Sequence, residues 1–187
     1  MTNKHAIKHI ITLSGDIGGG KSSVAAELQQ LTGYDIIGTG KIQRAIAERR
    51  GLTTLELNKV SQTDKSVDEE IDSYVVELGK TQDCLIMDSR LAWHFIPSAF
   101  KVFLAVAPEV GAQRVFNASR RDENNPNIEL TLKNNQHRQQ LEDMRFRKLY
   151  NISFRDHGNY DLVIDTSNMP PNIIAQKIKN CFDQAVN

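Results

Sequence analysis

Cysteine is scarce in this chain: its 187 residues include two, Cys84 and Cys181, each in an apolar stretch and neither in a C-x-x-C pair. That excludes a disulfide-stapled scaffold and a thiolate metal site, and both cysteines read as reduced core residues. An excess of either charge is also missing, since Lys+Arg and Asp+Glu stand at 23 each. A bulk nucleic-acid binder needs a basic surface to displace counterions, so no nucleic-acid partner is expected. Long hydrophobic runs are absent. The first apolar run (Ile10, Ile11, Leu13) stops at Gly15, too short for a signal h-region or a membrane span. The expectation is a soluble, cytoplasmic protein without a membrane partner. His5, His9, His94, His137 and His157 form no pair framed by an acid or a cysteine, so they read as structural or surface groups. No internal repeat and no linker divides the chain.

What is present suits one α/β domain, long enough to bury about two-thirds of its unfolded surface. Short apolar runs bounded by turn residues predict strands at Ile10 to Leu13, Cys84 to Met87 and Val102 to Val106, with weaker ones at Asp35 to Ile37 and Leu162 to Ile164. Between them the periodicity predicts helices over Ser22 to Leu31, Lys41 to Arg49, Ser66 to Leu78, Pro108 to Phe116, about Ile128 to Tyr150, and Ile173 to Ala185. Such alternation implies a five-stranded parallel sheet with helices on both faces. Residues Asn117 to Asn127 are polar, contain Pro126 and lack core-forming side chains. They read either as a mobile excursion at one edge of the sheet or as a solvated surface loop.

Gly15, Asp16, Ile17, Gly18, Gly19, Gly20, Lys21 and Ser22 spell G-x-x-x-x-G-K-[ST], and Ser23 follows. The motif comes straight after one predicted strand and opens a predicted helix, the context it requires. Glycines let successive N–H groups curl inward onto phosphate oxygens, and the helix behind adds its positive end. Lys21 is expected at the β- and γ-phosphates of ATP, with the Ser22 hydroxyl on Mg²⁺. GTPases share this loop but carry N-K-x-D. The nearest match, Asn58–Lys59–Val60–Ser61, lacks the aspartate and lies too early, so it reads as helix surface.

An enzyme that holds two polyanions together needs cations beyond the loop lysine, and arginine suits because its planar fork grips phosphate twice. Arg90 follows the strand ending Met87–Asp88, at the carboxyl edge where such sheets bind ligands. Arg44 lies one turn into the helix after the second strand. Arg138 and Arg145 are seven apart with Glu142 between them on one face, which by itself reads as a solvated helix pair. Asp88 suits Mg²⁺ or its waters better than a turn cap. Trp93, beside Arg90, reads as core packing rather than pocket lining.

Together, the phosphate loop, the segment Gly38–Thr39–Gly40–Lys41–Ile42–Gln43–Arg44 and the corner Asp88–Ser89–Arg90 resemble the cytidylate kinase family, in its short archaeal-like form. Arg49–Arg50–Gly51–Leu52–Thr53, the helix Asp68–Glu69–Glu70–Ile71–Asp72, the stretch from Arg138 to Arg145 and the ending Tyr160 to Ser167 are similar to further segments of that family. The resemblance implies a P-loop nucleoside monophosphate kinase-like fold: a core over residues 1–38, 81–116 and 158–187, acceptor-binding helices over 39–80, and a mobile lid over about 117–135. It implies phosphoryl transfer from Mg·ATP to CMP or dCMP by a monomer. It places Arg44, Arg90 and Arg145 at the acceptor phosphate, Thr39 among the substrate-binding residues, and Arg138 and Glu142 near the ribose and the transferring group. Arg114 with Arg120 or Arg121 would flank the lid over ATP. Departures are Asp16 and Gly19, where the family usually has proline and serine, Gln43 for an aromatic, and Ser89 for the corner glycine. Other acceptors, such as another nucleotide, dephospho-CoA or a hydroxylated metabolite, and a non-catalytic ATP sensor are the competing readings.

Overall fold

A computed structural model of the chain describes residues 9–53, 56–57, 60, 64, 66–118 and 127–186. The strand β1 (Ile10–Gly15) is buried along its whole length, as a central parallel strand covered on both faces must be. Around it lie β2 (Asp35–Gly38), β3 (Leu85–Asp88), β4 (Phe100–Ala105) and β5 (Leu162–Asp165), all parallel, in the order β2-β3-β1-β4-β5. The connecting helices are α1 (Lys21–Thr32), α2 (Thr39–Arg49), α3 (Ser66–Thr81), the single turn α4 (Ala92–Phe95), α5 (Pro108–Asn117), α6 (Ile128–Tyr150) and α7 (Pro171–Val186). The sequence pattern anticipates the five strands and six longer helices within a few residues. It missed α4, whose four residues are too few to show a period.

The period-2 alternation of the strands sorts side chains onto two faces. Ile11 and Leu13 of β1, Ile86 of β3, and Val102 and Leu104 of β4 pack against Val24 and Leu28 of α1 and Ile174, Ile178 and Phe182 of α7. On the other face Ile10, Leu85 and Met87 meet Ile42 and Ile46 of α2, Val75 and Leu78 of α3, and Ile96. A third cluster joins Trp93, Phe103, Phe154 and Tyr160, with the Trp93 and Tyr160 ring centroids 5.2 Å apart. Trp93 is core, as its sequence context suggested.

Cys84 does not fit its expected place. It stands one residue before β3, exposed, with a left-handed backbone (φ 56°). The turn from Asp83 into the strand takes it out of the apolar run, and Asp83 Oδ1 accepts its N–H at 3.1 Å.

The register decides where the site forms. Gly38 and Leu13 both stand opposite Asp88, and Gly15 stands opposite Leu104. The carboxyl ends of β1, β2, β3 and β4 therefore finish at one edge. β1 is flanked by β3 on one side and β4 on the other, so the chain changes direction of progress there, and a crevice opens above it.

Candidate active site

Helix α1 begins at this crevice without the usual furniture of a helix start. Its N-cap is Gly20, with φ 85°; no side chain caps it, and its first turn carries no acid. With no side-chain cap and no acid in the first turn, the helix start and its positive end suit an outside anion. The loop before it is pressed tightly into the fold. A Cβ on Gly18 (φ +81°) would stand 2.5 Å from Gly111 Cα, and one on Gly111 would stand 2.6 Å from the Ile17 carbonyl oxygen. Two glycines, one in the loop and one in α5, permit that approach.

A cavity of about 390 Å³ lies over the loop. Its walls are Ile17, Gly18 and Gly20 to Ser23 from the loop, Gly38 to Gly40 from the start of α2, Asp88 to Arg90 from the end of β3, and Arg138 from α6. Lys21, Thr39, Arg90 and Arg138 thus share one space although the chain separates them widely. A second, more apolar hollow of about 240 Å³ adjoins it, lined by Gly18 to Gly20, Ser23, Val24, Arg114, Met169 and Ile174 among others. One end of the crevice is polar and cationic, while the other offers a greasy slot of the kind a planar ring system fills.

Ser22 Oγ donates to Asp88 Oδ2 at 2.8 Å. A hydroxyl and a carboxylate, side by side on the cavity wall, form the hard-oxygen donor set that Mg²⁺ takes together with water and phosphate oxygens. The residues fit the ion. Arg90 is set by its own backbone, since its carbonyl accepts Ser14 Oγ at 2.9 Å from inside β1. Its guanidinium pairs with Glu142, and Arg138 Nε reaches the other oxygen of Glu142 at 3.3 Å. Burial, reinforced by the charges of Arg138 and Arg155, pushes the Arg90 pKa down to about 10. It stays charged at neutral pH.

Asp16, Arg114, Arg44 and Arg145 do not line this cavity. Asp16 turns its carboxylate away from the phosphate side, toward the Val106 N–H (3.1 Å) and Arg155. Arg114 spans the floor of the second hollow, donating to Gly18 O at 3.3 Å and to Thr166 O at 2.7 Å. Arg44 is exposed near Gly40 at the mouth, and Arg145 is bound by Asp68 Oδ2 at 2.5 Å. Arg120, Arg121 and the rest of residues 119–126 of the expected lid lie outside the described residues, as do His5 and three of the four residues Asn58 to Ser61.

A model of the cytidylate kinase-like family matches residues 10–168. The chain belongs to the cytidylate kinase-like family. A cytidylate kinase of Natronomonas pharaonis is 36% identical over 176 residues, covering 93% of this chain and 89% of that one. An S-adenosylmethionine-dependent nucleotide dehydratase of Lacinutrix mariniflava is 35% identical over 92% of this chain, which corresponds to 35% of that longer protein. Among solved structures, a shikimate kinase from Bacteroides thetaiotaomicron superposes with a TM-score of 0.60 over 93% of this chain and 98% of that one, at 15% identity. The last likeness is one of fold. The protein is a kinase built on the P-loop kinase fold.

Within this kinase-family site, several working residues escaped the sequence reading. Gly111 sits in an ordinary helix pattern, and only its contact with the loop reveals it. Thr166 and Ser167 anchor Arg114 through their carbonyls. Arg155 bridges Asp16 and Asp143. The sole trace of it in the sequence is Asp16 itself: an acid inside a phosphate-binding loop calls for a cation somewhere nearby.

Proposed function

We propose that this kinase transfers the γ-phosphoryl group of Mg·ATP to a pyrimidine nucleoside monophosphate, CMP or dCMP, forming CDP or dCDP. The observation that carries the reading is the shared cavity in which Lys21, Ser22 and Asp88 face Arg90 and Arg138. One half suits a triphosphate and its metal, the other a second phosphate. The relatives support a nucleotide acceptor, since a cytidylate kinase and a nucleotide dehydratase both act on nucleotides.

In this reading the loop N–H groups and Lys21 hold the β- and γ-phosphates, and the apolar hollow beside Arg114 takes the purine ring. Ser22 and Asp88 would hold Mg²⁺, which would supply charge neutralisation on the phosphate oxygens. Arg90, with Thr39 in the cavity, Arg44 at its mouth and Arg145 drawn over from Asp68, grips the acceptor phosphate, and Arg138 and Glu142 lie between acceptor and donor. An oxygen of the acceptor phosphate attacks the γ-phosphorus, and the bond to the β,γ-bridging oxygen breaks as the new one forms. The residues contribute alignment and charge neutralisation, and no side chain need act as a base. The stretch around 117–135, with Arg120 and Arg121, closes over ATP, and residues 39–80 carry the acceptor. The protein works as a cytoplasmic monomer.

The test is ADP release coupled to NADH oxidation, with Mg·ATP and CMP, dCMP, UMP, AMP, GMP or dephospho-CoA. CMP- or dCMP-dependent turnover that falls by about 10²-fold or more in Lys21→Ala, with the melting curve unchanged, supports the reading. Turnover with dephospho-CoA alone, or ATP binding without turnover on any acceptor, overturns it.

A further inference from the structure

A carboxylate on a loop that binds polyanions is a liability, and Asp16 places one there. Its surroundings show how the fold handles it. The Asp16 backbone is built into the loop, with its N–H donating to Leu104 O at 3.0 Å and its carbonyl accepting Gly19 N–H at 3.1 Å. One carboxylate oxygen accepts the Val106 N–H at 3.1 Å, and the other pairs with Arg155 Nη1. The Asp16 and Arg155 side chains are 19% and 22% exposed, so solvent screens the pair far less than a surface ion pair. Arg155 has a second limb. Its Nε donates to Asp143 Oδ2 at 3.0 Å, and Asp143 sits on α6 beside Glu142, the acid shared by Arg90 and Arg138.

We infer that Arg155 is a positioning residue for the phosphate loop. Its charge cancels that of Asp16, and its planar fork ties the loop to the helix carrying Arg138. Without it, an uncompensated, largely buried carboxylate lies behind N–H groups meant for phosphate and opposes the incoming triphosphate. With it, the loop and α6 hold one register before either nucleotide binds. The inference rests on the kinase reading of this loop and assigns a role to a residue that lies in none of the motifs.

The experiment is calorimetric binding of Mg·AMP-PNP to the full chain. The variants are Arg155→Gln, Arg155→Lys, Asp16→Asn and the double variant Asp16→Asn/Arg155→Gln, each with a melting curve. Arg155→Gln is expected to weaken binding about tenfold, and to raise KM for ATP more than it lowers kcat. Arg155→Lys, which keeps the charge, retains more than half of the lost affinity on a logarithmic scale. Adding Asp16→Asn to Arg155→Gln restores binding by about fivefold or more, because the residual anion is gone while its amide oxygen still accepts the Val106 N–H. A merely structural role for Arg155 would show loss and rescue in the melting curve as well, whereas here the melting curves stay alike while affinity changes. Binding by the wild type that Arg155→Gln leaves unchanged, or a double variant as weak as Arg155→Gln alone, overturns the inference and leaves the kinase reading intact. If Arg155→Gln does not fold, an Arg155→Lys variant that binds Mg·AMP-PNP about tenfold more weakly than wild type, with an unchanged melting curve, overturns it equally. Failure of the wild type to bind Mg·AMP-PNP overturns both.

Discussion

Lys21 and Asp72 show how differently two charged residues can be placed in one fold. Lys21 lines the cavity over the glycine-rich loop, beside Ser22, Asp88 and Arg90. Asp72 on α3 is half-buried away from that cavity, and burial raises its pKa even though the Tyr150 hydroxyl donates to it at 2.7 Å. A raised carboxyl pKa means the fold favours the protonated form. Its stabilising contribution is full below the ordinary aspartate value and is lost as pH rises through the raised one. Asp72→Asn keeps an oxygen for Tyr150 and removes the charge. It is therefore expected to melt higher than wild type at pH 7, with the gap closing as pH falls to the aspartate range. Thermal melts at several pH values check this, and a lower melting point at pH 7 would contradict the assignment of burial as the cause.

At the scale of elements, the contact between α5 and the phosphate loop is the one most sensitive to a single carbon. A Cβ at position 111 would meet Ile17 O at 2.6 Å, a backbone atom that cannot rotate aside. Gly111→Ala is expected to push α5 off the loop at a cost of about 1–3 kcal/mol, as overpacking does. Because the loop itself moves, ATP affinity should fall about tenfold or more, beyond what the stability loss explains. Paired melting and nucleotide titrations measure both. A variant that loses stability but binds ATP normally would show that α5 supports the fold without shaping the loop. Helix α6 is better insulated, since Asn127 caps its start by accepting Leu130 N–H at 2.8 Å and Asn151 ends it in a left-handed turn.

Across the whole molecule, α3 and α6 reach each other through side chains: Asp68 binds Arg145, and Asp72 binds Tyr150. Arg145 is proposed to grip the acceptor phosphate, so Asp68 competes for it. The Arg145 side chain is 54% exposed, which limits the strength of the pair to about 1 kcal/mol or less. Asp68→Asn should lower KM for the acceptor by up to about fivefold while leaving KM for ATP alone. An unchanged or raised acceptor KM would remove Arg145 from the acceptor site or make Asp68 part of it. Legibility in the sequence follows the same division of scale. The phosphate loop was readable because its parts are contiguous, and the strands because burial on both faces writes itself as apolar runs. Arg155 was not, because its partner Asp16 lies 139 residues away and no local pattern links them. The single turn α4 and the exposed position of Cys84 were missed for a related reason: a four-residue helix has no period, and a turn before a strand can expel one residue of an apolar run.

The amino-acid sequence by itself determined the parallel α/β class, the phosphate loop and the family, since each is a statement about short-range pattern or contiguous motif. Only the tertiary structure decided which arginines face Lys21 and which are held elsewhere. Arg90 and Arg138 enter the cavity, Arg145 is held by Asp68, Arg114 braces the second hollow, and Arg155 neutralises Asp16. The reason is physical: a guanidinium goes where the sheet register and helix packing bring an anion within reach, and those distances exist only once the chain has closed.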